Sequence, residues 1–346
     1  MSKMLDEIRE QPEALERTLR GGLRESARFA RTLRNRQPKW ILLAARGTSD
    51  NAAQFGRYLL EITTGIPVSL AAPSIFTLYH ARIRLEDAMV VAISQSGEST
   101  DINVVMEQAR AQGALTVGIT NEPRSSLARL AEHLFLVRAR RERSIAATKT
   151  YTSQIMLFYV LAKALGARIR SEDLERIPEW THAALALEPE IAERVERYRF
   201  MERTVVIGRG LNYATALEFG LKLMETCYVA ADGFSAADFL HGPIAMIEAS
   251  SPAFLFAPVG VTWPSIRDML DRLATLKAET LLFTDLGHKE AVKSNSRAIV
   301  VPVRPKELYT PIPYIIPAQL FAGLLAERKG LNPDHPRTLT KVTRTL

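Results

Sequence analysis

A single cysteine, Cys227, is all that the 346-residue chain contains, so no intramolecular disulfide can form and no oxidising compartment is implied. No apolar run reaches the ~18–20 residues that a membrane span requires. The opening residues, MSKMLDEIREQPEALERTL, are charged throughout and lack the apolar core of a secretory signal. These absences point to a cytoplasmic protein with no membrane partner. The six histidines, at 80, 133, 182, 241, 288 and 335, are scattered without the spacing of a metal-ligand pair. Neither a G-x-G-x-x-G fingerprint nor a Walker lysine occurs, which disfavours dinucleotides and ATP. No metal and no cofactor is therefore expected.

What is present is ordinary globular composition, 47% hydrophobic and 24% charged, in a chain long enough for two domains. A net charge of +7 and a pI near 9.5 suit attraction of anions. Arginines cluster locally at Arg138, Arg140, Arg141 and Arg143. No aromatics are interleaved with them and no nucleic-acid motif appears, so small anions are favoured over nucleic acid.

From Lys39 onward, short apolar runs alternate with amphipathic stretches. Trp40–Ala45, Ala88–Ile93, Leu115–Ile119 and His133–Val137 read as buried strands. Asn51–Thr63, Asp101–Gln112 and Ser125–Ala131 read as the helices between them, and Thr152–Leu165 as a closing helix. The pattern predicts an α/β fold with a doubly wound, mostly parallel sheet. Ser171–Tyr198 reads as a helical connector, after which strands restart at Thr204–Ile207, Ala253–Ala257, Thr280–Thr284 and Ala298–Val303. Pro313–Lys329 mirrors the closing helix. Arg46-Gly47 and Arg209-Gly210 each open a segment, and these segments share Phe, Gly, Leu and Glu at a common offset of 164 residues. A duplication follows. The expected divisions are a helical segment 1–36, a first domain 37–168, a connector 169–199, a second domain 200–330 and a tail 331–346.

Two loops belong to the first repeat alone. Gly47-Thr48-Ser49-Asp50 and Ser94-Gln95-Ser96-Gly97-Glu98-Ser99-Thr100 each follow a strand and open a helix. Small hydroxyl residues and glycine at helix N-termini suit a phosphate. Ordinary N-capping is the bland alternative, and it accounts for the shorter loop better than for a run with four hydroxyls. The second repeat has Pro258-Val259-Gly260-Val261 in the matching place, so one phosphate site per chain is expected. In that repeat Glu218, Lys222 and Glu225 share one helix face by spacing. A solvated salt-bridge face is the usual meaning of such a triplet, but its apolar flanks suggest a cleft. His241, between Phe239-Leu240 and Gly242-Pro243, is either structural or an acid–base group.

Taken together, these motifs resemble the SIS (sugar isomerase) domain family, in particular the isomerase half of glucosamine-6-phosphate synthases. The resemblance spans nearly the whole chain. It also takes in Glu7 to Pro12, Glu142 with Ala146-Ala147-Thr148-Lys149, and the tail Pro336 to Lys341. It implies that Gly47, Thr48, Ser49, Ser94, Gln95, Ser96 and Ser99 hold a sugar phosphate, with Glu142 and Ile145 also lining the site. It implies Glu225 as the C1–C2 proton shuttle and Lys222 as a polarising group. Lys341 matches a lysine that forms an imine with the open-chain sugar. His241 matches a histidine for ring opening, donated across a homodimer interface. Departures from the family pattern are Ala44-Ala45-Arg46 before Gly47, Ser99 in place of threonine, and Ala236-Ala237-Asp238 before the histidine loop.

The family's full synthase uses an N-terminal cysteine to hydrolyse glutamine, whereas this sequence begins Met1-Ser2. The expected activity is therefore glutamine-independent: a glucosamine-6-phosphate deaminase/isomerase giving fructose 6-phosphate and ammonia. A deglycase of fructosamine 6-phosphate and a non-enzymatic sugar-phosphate sensor stand as alternatives.

Overall fold

The computed structural model describes residues 2–295 and 297–341. The chain divides into two compact units. One comprises residues 13–142, 149–176 and the tail from Thr338; the other comprises 2–12, 143–148 and 177–337.

The first unit is built on β1 (Trp40–Ala44), β2 (Val68–Leu70), β3 (Ala88–Ile93), β4 (Leu115–Thr120) and β5 (His133–Leu136). All pairings are parallel, in the order β2-β1-β3-β4-β5. Every residue of β3 and β4 is buried, as expected for central strands covered on both faces, which is why they read as unbroken apolar runs. Strand order reverses between β1 and β3, and the crevice at their carboxyl ends is where such sheets hold ligands.

The second unit repeats this plan with β6 (Arg203–Gly208), β7 (Ala230–Ser235), β8 (Pro252–Phe256), β9 (Glu279–Asp285) and β10 (Ile299–Val301). Its order, β10-β9-β8-β6-β7, is the same topology. The match extends to backbone detail. Gly47 and Gly210 precede helices of equal length, Thr48–Thr64 and Leu211–Cys227, with φ/ψ of 54/−132° and 58/−129°. Only glycine enters that region without strain, so both turns need it.

In the second unit the helix Leu211–Cys227 packs on the closing helix Pro311–Arg328, with Phe219 at the centre of a ring cluster including Phe254, Phe283 and Phe321. Leu5, on the entry helix Lys3–Arg9, sits against Gly323, where a β-carbon would fall 2.8 Å from its methyl. The edge strands β2 and β7 are absent from the sequence reading. The connector is two helices, Ser171–Leu185 and Glu188–Arg194, followed by a 3-10 turn Val195–Tyr198. No helix among the described residues is long and apolar enough to cross a membrane.

Candidate active site

Both hydroxyl loops flank the β1/β3 crevice. Gly47 turns the chain so that Thr48 and Ser49 open the first helix, and the buried Ser49 hydroxyl accepts from Gln154 Nε2 at 3.0 Å. On the other side, the hydroxyls of Ser94 and Ser99 lie 3.1 Å apart, and Ser94 Oγ accepts the Gly97 N–H. Ser96 Oγ accepts from Glu98 N, while the Gln95 carbonyl is held by Thr120 and Asn121. Gly97 has φ 65°, and a β-carbon there would collide with Ser125. Glu98 points outward and accepts from Ser126, an interaction that pulls its carboxyl below the ordinary value. The loop is thus fixed from several sides, with Ser96, Ser99 and Thr48 partly exposed beside two helix N-termini. Such an arrangement can receive a phosphate without rearranging.

Arg46, one of the departures from the family pattern before Gly47, is committed to Asp101 at 2.6 Å. Asp101 is buried at the start of the helix Thr100–Ala111, so the pair ties the two loops together.

One face of the helix Lys149–Ala164 joins a further group to this unit. Gln154 holds Ser49; one turn earlier Thr150 donates through N–H and hydroxyl to Glu142. The fully buried Glu142 carboxylate also lies 3.4 Å from Lys341 Nζ. The tail lysine is therefore in the unit that carries the hydroxyl loops. Ile145, half-buried, lies in the segment 143–148, whose Arg143 and Ser144 N–H groups both donate to the Glu7 carboxylate.

In the second unit the charged stripe is not a solvated face. Lys222 and Glu218 are wholly buried; Lys222 Nζ lies 3.4 Å from Glu218 and 2.5 Å from Glu225. Glu225 alone keeps partial exposure, with 21% of its side chain accessible. The buried ammonium thus lies between two carboxylates. Of the two, Glu225 is the carboxylate that a ligand can reach. His241 ends the short helix Ala236–Leu240 and is exposed; among the described residues its ring has no hydrogen-bond or ion-pair partner. Cys227 is excluded as a nucleophile, since burial pushes its thiol up to about 12. No metal-binding cluster of three or more His, Cys, Asp or Glu occurs among the described residues.

The second unit's counterpart to the hydroxyl loop already holds an anion. Glu307 accepts from Val261 N at 2.6 Å and from the Thr262 hydroxyl at 2.5 Å, at the head of the helix Trp263–Thr275. Sequence reasoning missed Glu307, Gln154, Thr150 and Asp101, whose partners lie far along the chain or carry no motif.

A model of the SIS domain matches residues 36–164 and again residues 200–326. The chain belongs to the SIS domain family. Among its SIS relatives, a glutamine–fructose-6-phosphate aminotransferase (isomerizing) of Pyrococcus horikoshii is 36% identical over 98% of this chain and 57% of its own length. The chain thus spans little more than half of that relative. The C-terminal domain of a glucosamine-fructose-6-phosphate aminotransferase from Francisella tularensis has TM-score 0.87 at 28% identity, covering 97% of this chain and 98% of that one. A glucosamine-6-phosphate deaminase from Thermotoga maritima matches at TM-score 0.80 and 21% identity, covering 99% and 100%; that likeness concerns the fold.

Proposed function

We propose that this SIS protein is an aminosugar-phosphate isomerase whose reaction is the glutamine-independent deamination of glucosamine 6-phosphate. The observation that carries this reading is the buried Lys222 ammonium set against a Glu225 carboxylate that a ligand can reach. The hydroxyl loops at the β1/β3 crevice bind the phosphate. His241, exposed for contribution to a second copy of the chain, assists ring opening. Glu225 then removes the C2 proton of the open-chain aldose and returns a proton to C1, giving the 2-imino ketose. Lys341 Nζ, after passing its proton to Glu142, adds to C2 and ammonia leaves; water then hydrolyses the lysine imine to release fructose 6-phosphate. The proton transfers balance, and one water is consumed per ammonia released. Glu307 occupies the second repeat's crevice, which supports a single phosphate site per chain.

The test is incubation with glucosamine 6-phosphate alone, following ammonia and fructose 6-phosphate together. Equal release of both without glutamine is expected. Absence of both products, with release of an amine from a fructosamine 6-phosphate in a parallel incubation, would replace the deaminase with a deglycase on the same fold. Binding of either sugar without turnover would make the protein a sensor.

A further inference from the structure

The two hydroxyl loops contain no cation of their own. Residues 47–50 and 94–100 include Asp50 and Glu98 but neither lysine nor arginine, and Asp101 follows directly. Hydroxyls are neutral, and a helix N-terminus supplies only about half a unit of positive charge. A phosphate dianion held by these groups alone would face the carboxylates without a formal counter-charge. Arg46, the residue before Gly47, changes that balance.

Backbone and side chain of Arg46 join the two helix heads. Its carbonyl accepts from Ser49 N at 3.1 Å and Asp50 N at 3.3 Å, in the opening turn of the helix Thr48–Thr64. Its Nε donates to Asp101 Oδ2 at 2.6 Å, in the opening turn of the helix Thr100–Ala111. The pair is not the two-pronged one that a guanidinium and a carboxylate can form, because Asp101 Oδ1 accepts instead from Ile102 N. Asp101 is 1% exposed, whereas half of the Arg46 side chain is accessible. Among the described residues, the terminal Nη groups of Arg46 have no partner. The other acids leave this cation available. Glu98 is turned onto Ser126, and desolvation raises the Asp50 carboxyl against the pull of Arg46. A guanidinium anchored through Nε, with its fork open, suits an anion that offers several oxygens.

We propose that Arg46 is a specificity-determining residue of the phosphate site. Its Nη groups donate to the phosphate of a sugar phosphate, and the buried Asp101 holds the guanidinium between the two hydroxyl loops. This inference rests on the phosphate seat proposed above and not on the deamination.

The experiment is calorimetric titration of the full chain with glucitol 6-phosphate, an open-chain sugar phosphate with no carbonyl to react. Arg46→Gln should weaken binding about tenfold or more, as expected for a lost hydrogen bond to a charged group. Asp101→Asn should bind as tightly as the parent or more tightly, because it keeps an acceptor for Nε and removes a negative charge beside the arginine. A residue that only tied the loops together would give the same loss from either end of the pair. The double variant Arg46→Gln, Asp101→Asn strands no buried carboxylate. Its affinity should stay as low as that of Arg46→Gln, with a thermal midpoint near the parent's. Equal losses in the two single variants, or parent-like affinity in Arg46→Gln or in the double variant, would overturn the assignment. The variant Ser96→Ala, Ser99→Ala judges the seat separately. Binding lost there but kept in Arg46→Gln removes Arg46 alone. Binding lost in Arg46→Gln but kept in the serine variant supports the arginine contact and removes the hydroxyl loops. A parent that binds no glucitol 6-phosphate overturns both.

Discussion

Lys222 Nζ lies 2.5 Å from a carboxylate oxygen of Glu225, three residues along the same helix, with its other flank 3.4 Å from Glu218. The three groups carry one positive and two negative charges, and only Glu225 faces accessible space. The buried pair fixes the geometry around the partly exposed Glu225 carboxylate.

Glu225→Gln should therefore separate chemistry from folding. Turnover of glucosamine 6-phosphate is expected to fall roughly 10²–10⁴-fold, the range for a lost general base. The thermal midpoint should stay near that of the parent, since Lys222 keeps its contact with Glu218. Turnover within about twofold of the parent would remove Glu225 from the proton-shuttle role.

Lys222→Met should do the reverse to stability. It removes the ammonium beside the buried Glu218 carboxylate, at a cost of about 3–5 kcal/mol. Adding Glu218→Gln should recover most of that loss in urea titrations while activity stays low. If the double variant is no more stable than Lys222→Met, burial of the Glu218 charge is not what the lysine offsets.

How far the sequence reveals these features varies with the physics. Central strands are legible because burial on both faces leaves an unbroken apolar run, as in Ala88–Ile93. The edge strands β2 and β7 pair on one side only, and the mixed run Ala-Ala-Asp-Gly-Phe-Ser of β7 has neither a strong apolar character nor clean alternation. The hydroxyl loops are legible because glycine and serine cluster where a strand gives way to a helix. Their anchors are not: Gln154 reaches Ser49 across 105 residues, and nothing local marks it. The charged stripe shows its spacing but not its burial, which no local pattern reveals.

Lys341→Ala tests the tail. Loss of its amine should lower deamination by at least about a hundredfold, as expected when a covalent step is removed. Glu142→Gln should lower it less, because the substituted amide still accepts from Thr150 but takes up the lysine proton poorly. Trapping with borohydride in the presence of fructose 6-phosphate should label the parent and not Lys341→Ala. Equal labelling of both would place the imine elsewhere.

Asp285 gives a pH-dependent prediction. Burial pushes its carboxyl above the ordinary value, against hydrogen bonds from Tyr314 and the Gly287 N–H. The folded chain thus holds this proton more readily than the unfolded chain. Stability from this group is present at low pH and is lost as pH rises through the raised folded value. Asp285→Asn removes the titration, so its stability relative to the parent should increase from about pH 4 towards neutrality and then level off. Parallel pH–stability curves for the two proteins would contradict the shift.

Glu307 is the chain's own anion at a crevice that its twin repeat leaves open. Its carboxylate takes the Val261 N–H and the Thr262 hydroxyl, and Gly260 is required beside it because a β-carbon there would strike the Glu307 side chain. Glu307→Ala should cost about 1–3 kcal/mol by leaving these donors without their charged acceptor. The same deletion uncovers a helix N-terminus shaped for an anion, so inorganic phosphate should restore the variant's midpoint by more than it raises the parent's. Glu307→Gln, which keeps one acceptor oxygen in place, should lose less and respond less. Thermal melts of the three proteins across a phosphate series decide the point: a common slope would mean that the second crevice is merely capped, whereas a steeper slope for Glu307→Ala identifies it as a filled counterpart of the first.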